Sequence, residues 1–186
     1  TTRYCLGIDK DPNGTWSSSQ NNGRIGAGTK GNLPKVGAKA EDFTAVKTDL
    51  SEISLYDFED KVKVLIGVPS LETGTCSTET RTFNKKLEGK EGVVGLVISK
   101  DLPFAMRKFC ETEGIKNVVA LSDYRYNDFC NEYKTEILTG GMKGLSARAV
   151  FVIDKTNIIR YVQLVPEISA EPDYDSVLAA IDELLK

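Results

Sequence analysis

At 186 residues, with 40% hydrophobic and 27% charged residues, the chain has the composition of a globular domain large enough to build one core without disulfide staples. Lys+Arg of 24 against Asp+Glu of 27 gives a formal charge of −3, which argues against nucleic acid as the main partner, and no stretch approaches the ~20 apolar residues of a membrane span. Histidine is absent, so Ser-His-Asp and Cys-His triads and histidine-ligated metal sites are excluded within this sequence.

Residues 1–32 are polar and rich in Gly, Ser and Asn, without apolar periodicity, and read as a loop or weakly ordered segment ahead of a folded domain at 33–186. Gly26-Ala27-Gly28-Thr29-Lys30-Gly31 matches G-x-G-x-x-G, but no predicted strand precedes it and Asn32-Leu33-Pro34 is a poor helix start, so a dinucleotide site is not expected. Trp16 reads as a packing anchor. Residues 43–46 and 53–55 suggest short edge strands. Residues 62–68 are a β-rich apolar run ending at Pro69, as in a strand buried on both faces.

Cys76, Thr80, Phe83 and Leu87 then fall at helical spacing. Residues 93–98 repeat the buried-strand pattern. Residues 103–113 read as a helix opened by Pro103 and closed by Gly114. A strand follows at 118–121 and a short helix at 127–133. Residues 149–153 and 158–165 flank a turn at Asp154-Lys155-Thr156-Asn157 and predict a hairpin. The last helix, 173–185, carries Val177, Leu178, Ile181, Leu184 and Leu185 as its apolar stripe. The expected class is α/β, with a mixed central sheet flanked by helices in the thioredoxin-like order β-α-β-α-β-β-α and an N-terminal extension.

The four cysteines, at 5, 76, 110 and 130, contain no C-x-x-C pair and suit neither a zinc site nor a dense secreted scaffold. The first thirty residues also lack a charged segment followed by an apolar run, so the expected location is cytoplasmic. In a reducing compartment an unpaired cysteine is either an inert core residue or a chemically useful one. Cys76 lies just after a buried strand, in the first turn of a predicted helix, where partial positive charge and unpaired N–H groups favour a thiolate. Thr73, three residues earlier, offers a hydroxyl to a bound oxygen, and Pro69 stiffens the loop. Cys110 shares a helix face with Met106 and Phe109, and its spacing fits a core residue and a reactive thiol equally. Cys130, beside Phe129, reads as core, and Cys5 as incidental. Arg148 sits among apolar neighbours, which implies a partner for its charge. Glu79 and Arg81 fit either a role in tuning the site or a solvated helix face.

Pro69, Thr73 and Cys76 form P-x-x-x-T-x-x-C, which resembles the peroxiredoxin active-site motif. The flanks Ser77-Thr78-Glu79-Thr80-Arg81 and Asp101-Leu102-Pro103-Phe104-Ala105, the run from Lys143 to Asp154 and Glu171-Pro172-Asp173-Tyr174 are similar to the bacterial thiol peroxidase subfamily, the atypical two-cysteine peroxiredoxins, from about Leu33 to Lys186. The chain departs from that pattern in its glycine-rich front, where the family has a strand hairpin, in Glu41 within Lys39-Ala40-Glu41-Asp42-Phe43, and in Gly141-Met142.

The resemblance implies a peroxidase using cysteine sulfur alone, with no metal, haem or flavin. Cys76 is then the peroxidatic nucleophile and Cys110 the resolving cysteine of an intramolecular disulfide. Pro69 shields the thiolate, Thr73 hydrogen-bonds the peroxide, and Arg148 supplies a permanent positive charge. Hydrogen peroxide and alkyl hydroperoxides are the expected substrates, thioredoxin the expected reductant and a homodimer the expected assembly. Two other readings fit the same fold: a redox sensor that passes its disulfide to a partner, and a non-enzymatic binding module with core cysteines.

Overall fold

The longest apolar runs form the middle of one seven-stranded sheet. The structure is a computed structural model that describes residues 31–186, together with the backbone of β1 (Ile8–Lys10) and β2 (Trp16–Ser18). The large sheet comprises β3 (Thr44–Lys47), β4 (Glu52–Ser54), β5 (Val62–Gly67), β6 (Val93–Ser99), β7 (Val118–Ser122), β8 (Ala149–Ile153) and β9 (Ile159–Leu164), in the order β4-β3-β7-β6-β5-β8-β9. β5, β6 and β7 are parallel, and the remaining pairs are antiparallel. The helices are α1 (Gly74–Lys86), α2 (Pro103–Glu113), α3 (Asp128–Tyr133) and α4 (Tyr174–Leu184). From β5 onward the order is β-α-β-α-β-α-β-β-α, the expected β-α-β-α-β-β-α with α3 inserted between β7 and β8.

The parallel strands explain where the helices lie. Two successive right-handed crossovers moving in one direction across a sheet leave their helices on the same face. Accordingly Cys76, Phe83 and Leu87 at α1, Met106 of α2, and Val177 and Ile181 of α4 share one apolar layer with Val64, Ile66 and Val97. The alternate residues Leu65, Leu96 and Ile98 face a second layer with Phe43, Phe129, Tyr133 and Phe151, covered by α3. The aromatic rings there meet edge-on or stacked, with centroids 5.0–6.5 Å apart.

α2 begins with Pro103 and ends at Gly114 with φ 65°, a left-handed residue that returns its N–H to the Cys110 carbonyl. α4 is capped by Asp173, whose side chain accepts from the Ser176 N–H. Where α1 ends, its C-cap residue Leu87 packs on Gly95 of β6. A Cβ at Gly95 would lie 2.7 Å from Leu87 Cδ1 and 2.8 Å from Val118 Cγ1, so only glycine permits this approach.

The front of the chain corrects the sequence reading. β1 and β2 pair antiparallel, Asp9 opposite Ser17, within a segment expected to be loop. The residues between them include Pro12, Asn13 and Gly14, the types that turn a hairpin, but three-residue strands are too short to show alternation. The side chain of Trp16, Cys5 and the glycine stretch from Gly26 to Lys30 lie outside the described residues. The second edge strand ends at Ser54, and Leu55–Asp57 form a 3-10 turn rather than continuing it.

Candidate active site

The loop from Val68 to Thr73 joins the end of β5 to α1, ending three residues before Cys76. Pro69 is buried. Thr73 is the N-cap of α1 in extended conformation, with its Oγ1 donating to the Ser70 carbonyl at 3.0 Å and its own N–H donating to the same oxygen at 3.2 Å. Its carbonyl accepts from Ser77 N–H at 2.9 Å, which starts the helix. Cys76, the third helical residue, is fully buried, while Thr73, Thr75 and Ser77 are half-buried. The N–H groups of this first turn have no carbonyl within the helix to bond, and they point toward its start.

Arg148, immediately before β8, is 1% exposed and reaches the same point. Its Nη2 donates to Cys76 Sγ at 3.3 Å and to the Ile168 carbonyl at 2.8 Å, and its Nη1 is bonded to Glu79 Oε2. Glu79 stands three residues after Cys76 on α1 and is fully buried. A buried guanidinium requires such a counter-charge, and α1 supplies it on the same helical face as the thiol. Desolvation raises the Glu79 pKa to about 7, against the opposing pull of Arg148. Nε of Arg148 has no partner among the described residues, so the guanidinium retains donor capacity.

Cys110 lies one helix away, half-buried on α2, and packs with Phe109 against the layer that contains Cys76. Cys76, Cys110 and Cys130 are all free thiols. Burial, with a smaller contribution from Glu111, pushes the Cys110 pKa up. α1 and α2 are tied at the surface by Arg81 and Glu113 at 3.1 Å, and Asn84 Oδ1 accepts the N–H groups of Lys116 and Asn117 just after α2. Cys130 sits on the other side of the sheet, in the aromatic layer.

Of the expected site residues, Arg148 is brought into contact with Cys76, Pro69 and Thr73 lie on the loop that leads into the Cys76 helix, and Cys110 packs against the same layer. Two of the open readings separate: Glu79 belongs to the site, whereas Arg81 is an exposed cation paired across to α2. Asp101 was not singled out from the sequence. Its carboxylate accepts from Ser70 Oγ, the Leu71 N–H and Ser99 Oγ, each at 2.7 Å, beneath the loop that positions Thr73. Its mark in the sequence is its place in Asp101-Leu102-Pro103-Phe104-Ala105, one of the segments similar to the thiol peroxidases.

The Redoxin family model matches residues 35–178. A thiol peroxidase of Leptospira interrogans is 54% identical over 84% of this chain and 92% of its own length. A thiol peroxidase of Aquifex aeolicus is 48% identical over 81% of this chain and 89% of its own. The crystal structure of a peroxiredoxin-like protein from Aquifex aeolicus superposes with a TM-score of 0.82 at 46% identity, covering 85% of this chain and 92% of that one. Among the described residues no helix is long and apolar enough to cross a membrane. A free thiol against a buried guanidinium, on a thioredoxin-like fold and with these relatives, leads to one assignment: the chain belongs to the Redoxin family, among the thiol peroxidases of the peroxiredoxins, and is an enzyme that reduces peroxides with electrons drawn from thiols.

Proposed function

We propose that Cys76 is the peroxidatic nucleophile of this peroxidase and Cys110 its resolving thiol. The contact of 3.3 Å between Arg148 Nη2 and Cys76 Sγ carries the reading. A guanidinium does not lose its proton in proteins, so a thiolate here faces a permanent positive charge without any histidine. The sulfur attacks one oxygen of the hydroperoxide and the O–O bond breaks. The other oxygen leaves, with a proton, as water or alcohol, and Cys76 becomes a sulfenic acid. Arg148 steadies the negative charge that passes from sulfur to the leaving oxygen.

Thr73 has given its hydroxyl hydrogen to Ser70, so it meets the substrate as an acceptor for the hydroperoxide O–H. Pro69, buried and without an N–H, walls the pocket from water. The complete burial of Cys76 favours hydrogen peroxide and slender alkyl hydroperoxides over bulky protein ones.

Cys110, as thiolate, then attacks the sulfenic sulfur. Water leaves and an intramolecular disulfide forms. A disulfide needs its Cα atoms within roughly 4.4–6.8 Å, so two sulfurs held on separate helices must be brought together by local opening. The same opening exposes Cys110 and removes the burial that holds its pKa up, which coordinates movement with reactivity. A dithiol such as thioredoxin returns both cysteines to thiols in the reducing cytoplasm. Leu102, Phe104, Tyr124 and Tyr126 are exposed around the start of α2 and the end of β7, and they support a homodimer contact at this end of the sheet.

An NADPH-linked assay with thioredoxin, its reductase and cumene hydroperoxide tests the reading. Cys76→Ser is expected to abolish turnover, and Cys110→Ser to leave peroxide consumption to a single turnover. Multiple turnovers by the Cys76→Ser protein would identify another nucleophile.

A further inference from the structure

We infer that Asp101 is a positioning residue that latches the peroxide-binding loop to the root of the helix carrying Cys110. The inference rests on the roles proposed above for Cys76 and Cys110. Asp101 directly precedes Leu102, the N-cap of α2, and Pro103, its first residue. Its backbone is fixed from below: its N–H donates to Ser99 Oγ at 3.2 Å, and its carbonyl accepts from Ser122 Oγ. Both serines are fully buried at the ends of neighbouring parallel strands, β6 and β7.

The carboxylate of Asp101 faces the other way, into the loop after β5. Oδ1 accepts from Ser70 Oγ at 2.7 Å, and Oδ2 accepts from the Leu71 N–H and from Ser99 Oγ, both also at 2.7 Å. Short bonds to an ionised acceptor are the stronger class. Ser70 in turn holds Thr73, through its carbonyl, by both the Thr73 N–H and the Thr73 hydroxyl. An unbroken path of hydrogen bonds therefore runs from the N-cap of α1 through Ser70 to Asp101, and through the main chain into α2.

This placement gives the latch two opposed effects. Closed, it keeps Thr73 and the first turn of α1 in the arrangement that receives a peroxide. Closed, it also holds the start of α2 against that loop, which resists the movement that lets Cys110 reach Cys76. Loosening it must slow the first step and speed the second.

Rapid-quench mass spectrometry of the full-length protein with hydrogen peroxide measures the two steps separately, as sulfenic acid and as disulfide. Asp101→Ala is expected to slow Cys76 oxidation and to accelerate conversion of sulfenic acid to disulfide, each by at least about fivefold, in line with the loss of bonds to a charged acceptor. Ser70→Ala, which removes only the Oδ1 partner, is expected to move both steps the same way by a smaller factor, and it decides the matter if Asp101→Ala fails to fold. Both steps slowing together, or neither moving, would overturn the latch. If the unsubstituted protein forms no Cys76–Cys110 disulfide, the assignment of Cys110 falls and takes the latch with it. A disulfide that forms normally while the variants show no opposed shift removes the latch alone.

Discussion

Cys76 and Cys130 occupy matching places: each is the third residue of its helix, and each is buried, at 0% and 1% exposure. The charged group that faces each thiol differs in sign, Arg148 at Cys76 and Asp123 at Cys130, and each is itself paired, with Glu79 and with Lys100. At the start of α1 the thiol meets the Arg148 guanidinium at 3.3 Å. At the start of α3 the carboxylate of Asp123 accepts the Phe129 and Cys130 N–H groups at 2.9 and 3.1 Å, so the donors that would stabilise a thiolate are already used. Burial, and then the charge of Asp123, push the Cys130 pKa up to about 12. A helix start does not itself make a cysteine reactive. The charge that fills the start decides it.

The largest effect should separate the two cysteines outright. Cys76→Ser is expected to leave less than roughly one-tenth of peroxidase turnover in the coupled assay, as fits removal of a nucleophile, whereas Cys130→Ser keeps it. Next in size is the charge beside the thiol. Arg148→Lys keeps a cation but loses the planar fork that serves Cys76, Glu79 and Ile168 together. Stopped-flow oxidation by peroxide should slow by at least about tenfold, equivalent to roughly 1.4 kcal/mol. An unchanged rate would reduce Arg148 to a packing role.

Hydrogen exchange sharpens the contrast between helices. Comparing thiol and disulfide forms, protection should fall in residues 75–81, in residues 104–113 or in both, while α3 around Cys130 stays as it was. Equal exchange throughout the first two segments would rule out opening as the route to the disulfide.

A subtler effect concerns Glu79, whose pKa rises from 4.5 to about 7 in the fold, chiefly through desolvation. The folded protein then binds more protons than the unfolded chain between those values, so this group makes stability fall as pH rises through the window and level off above it. Glu79→Gln should flatten that part of the profile of melting temperature against pH. A profile parallel to that of the unsubstituted protein would show that Glu79 does not titrate there. The smallest expected change is for Cys5→Ser combined with Cys130→Ser, which should keep thioredoxin-linked activity within about twofold, as substitutions away from the reacting groups do. Loss of activity in a folded double variant would reassign the resolving thiol.

These contrasts also explain what the sequence made legible. The buried strands β5, β6 and β8 stand out because both faces are covered and their apolar runs are continuous. α2 is marked at both ends, by Pro103 and Gly114. Cys76, Thr73 and Pro69 are close in sequence, so their motif survives without coordinates. Glu79 stayed open because a solvated acid on a helix and a buried one have the same spacing, and the residue that distinguishes them, Arg148, is 69 positions away. Asp101 was hidden for a similar reason: Ser70, Leu71, Ser99 and Ser122 come from three separate segments. The β1–β2 pair escaped because its strands are three residues long, with a single apolar residue in each.

The contact of Leu87 with Gly95 gives the opening a direction. Because no side chain intervenes there, the last turn of α1 is clamped to β6 and, through Leu87 and Val118, to β7. If disulfide formation opens α1 as proposed, unwinding would begin at Cys76 and stop before the clamp. A helix moored at one end keeps its register while the other end is loose, so the turn around Cys76 can rewind by adding residues to an existing helix, without repeating the unfavourable nucleation step. A larger residue at position 95 would tax each catalytic cycle with that step, far from either sulfur.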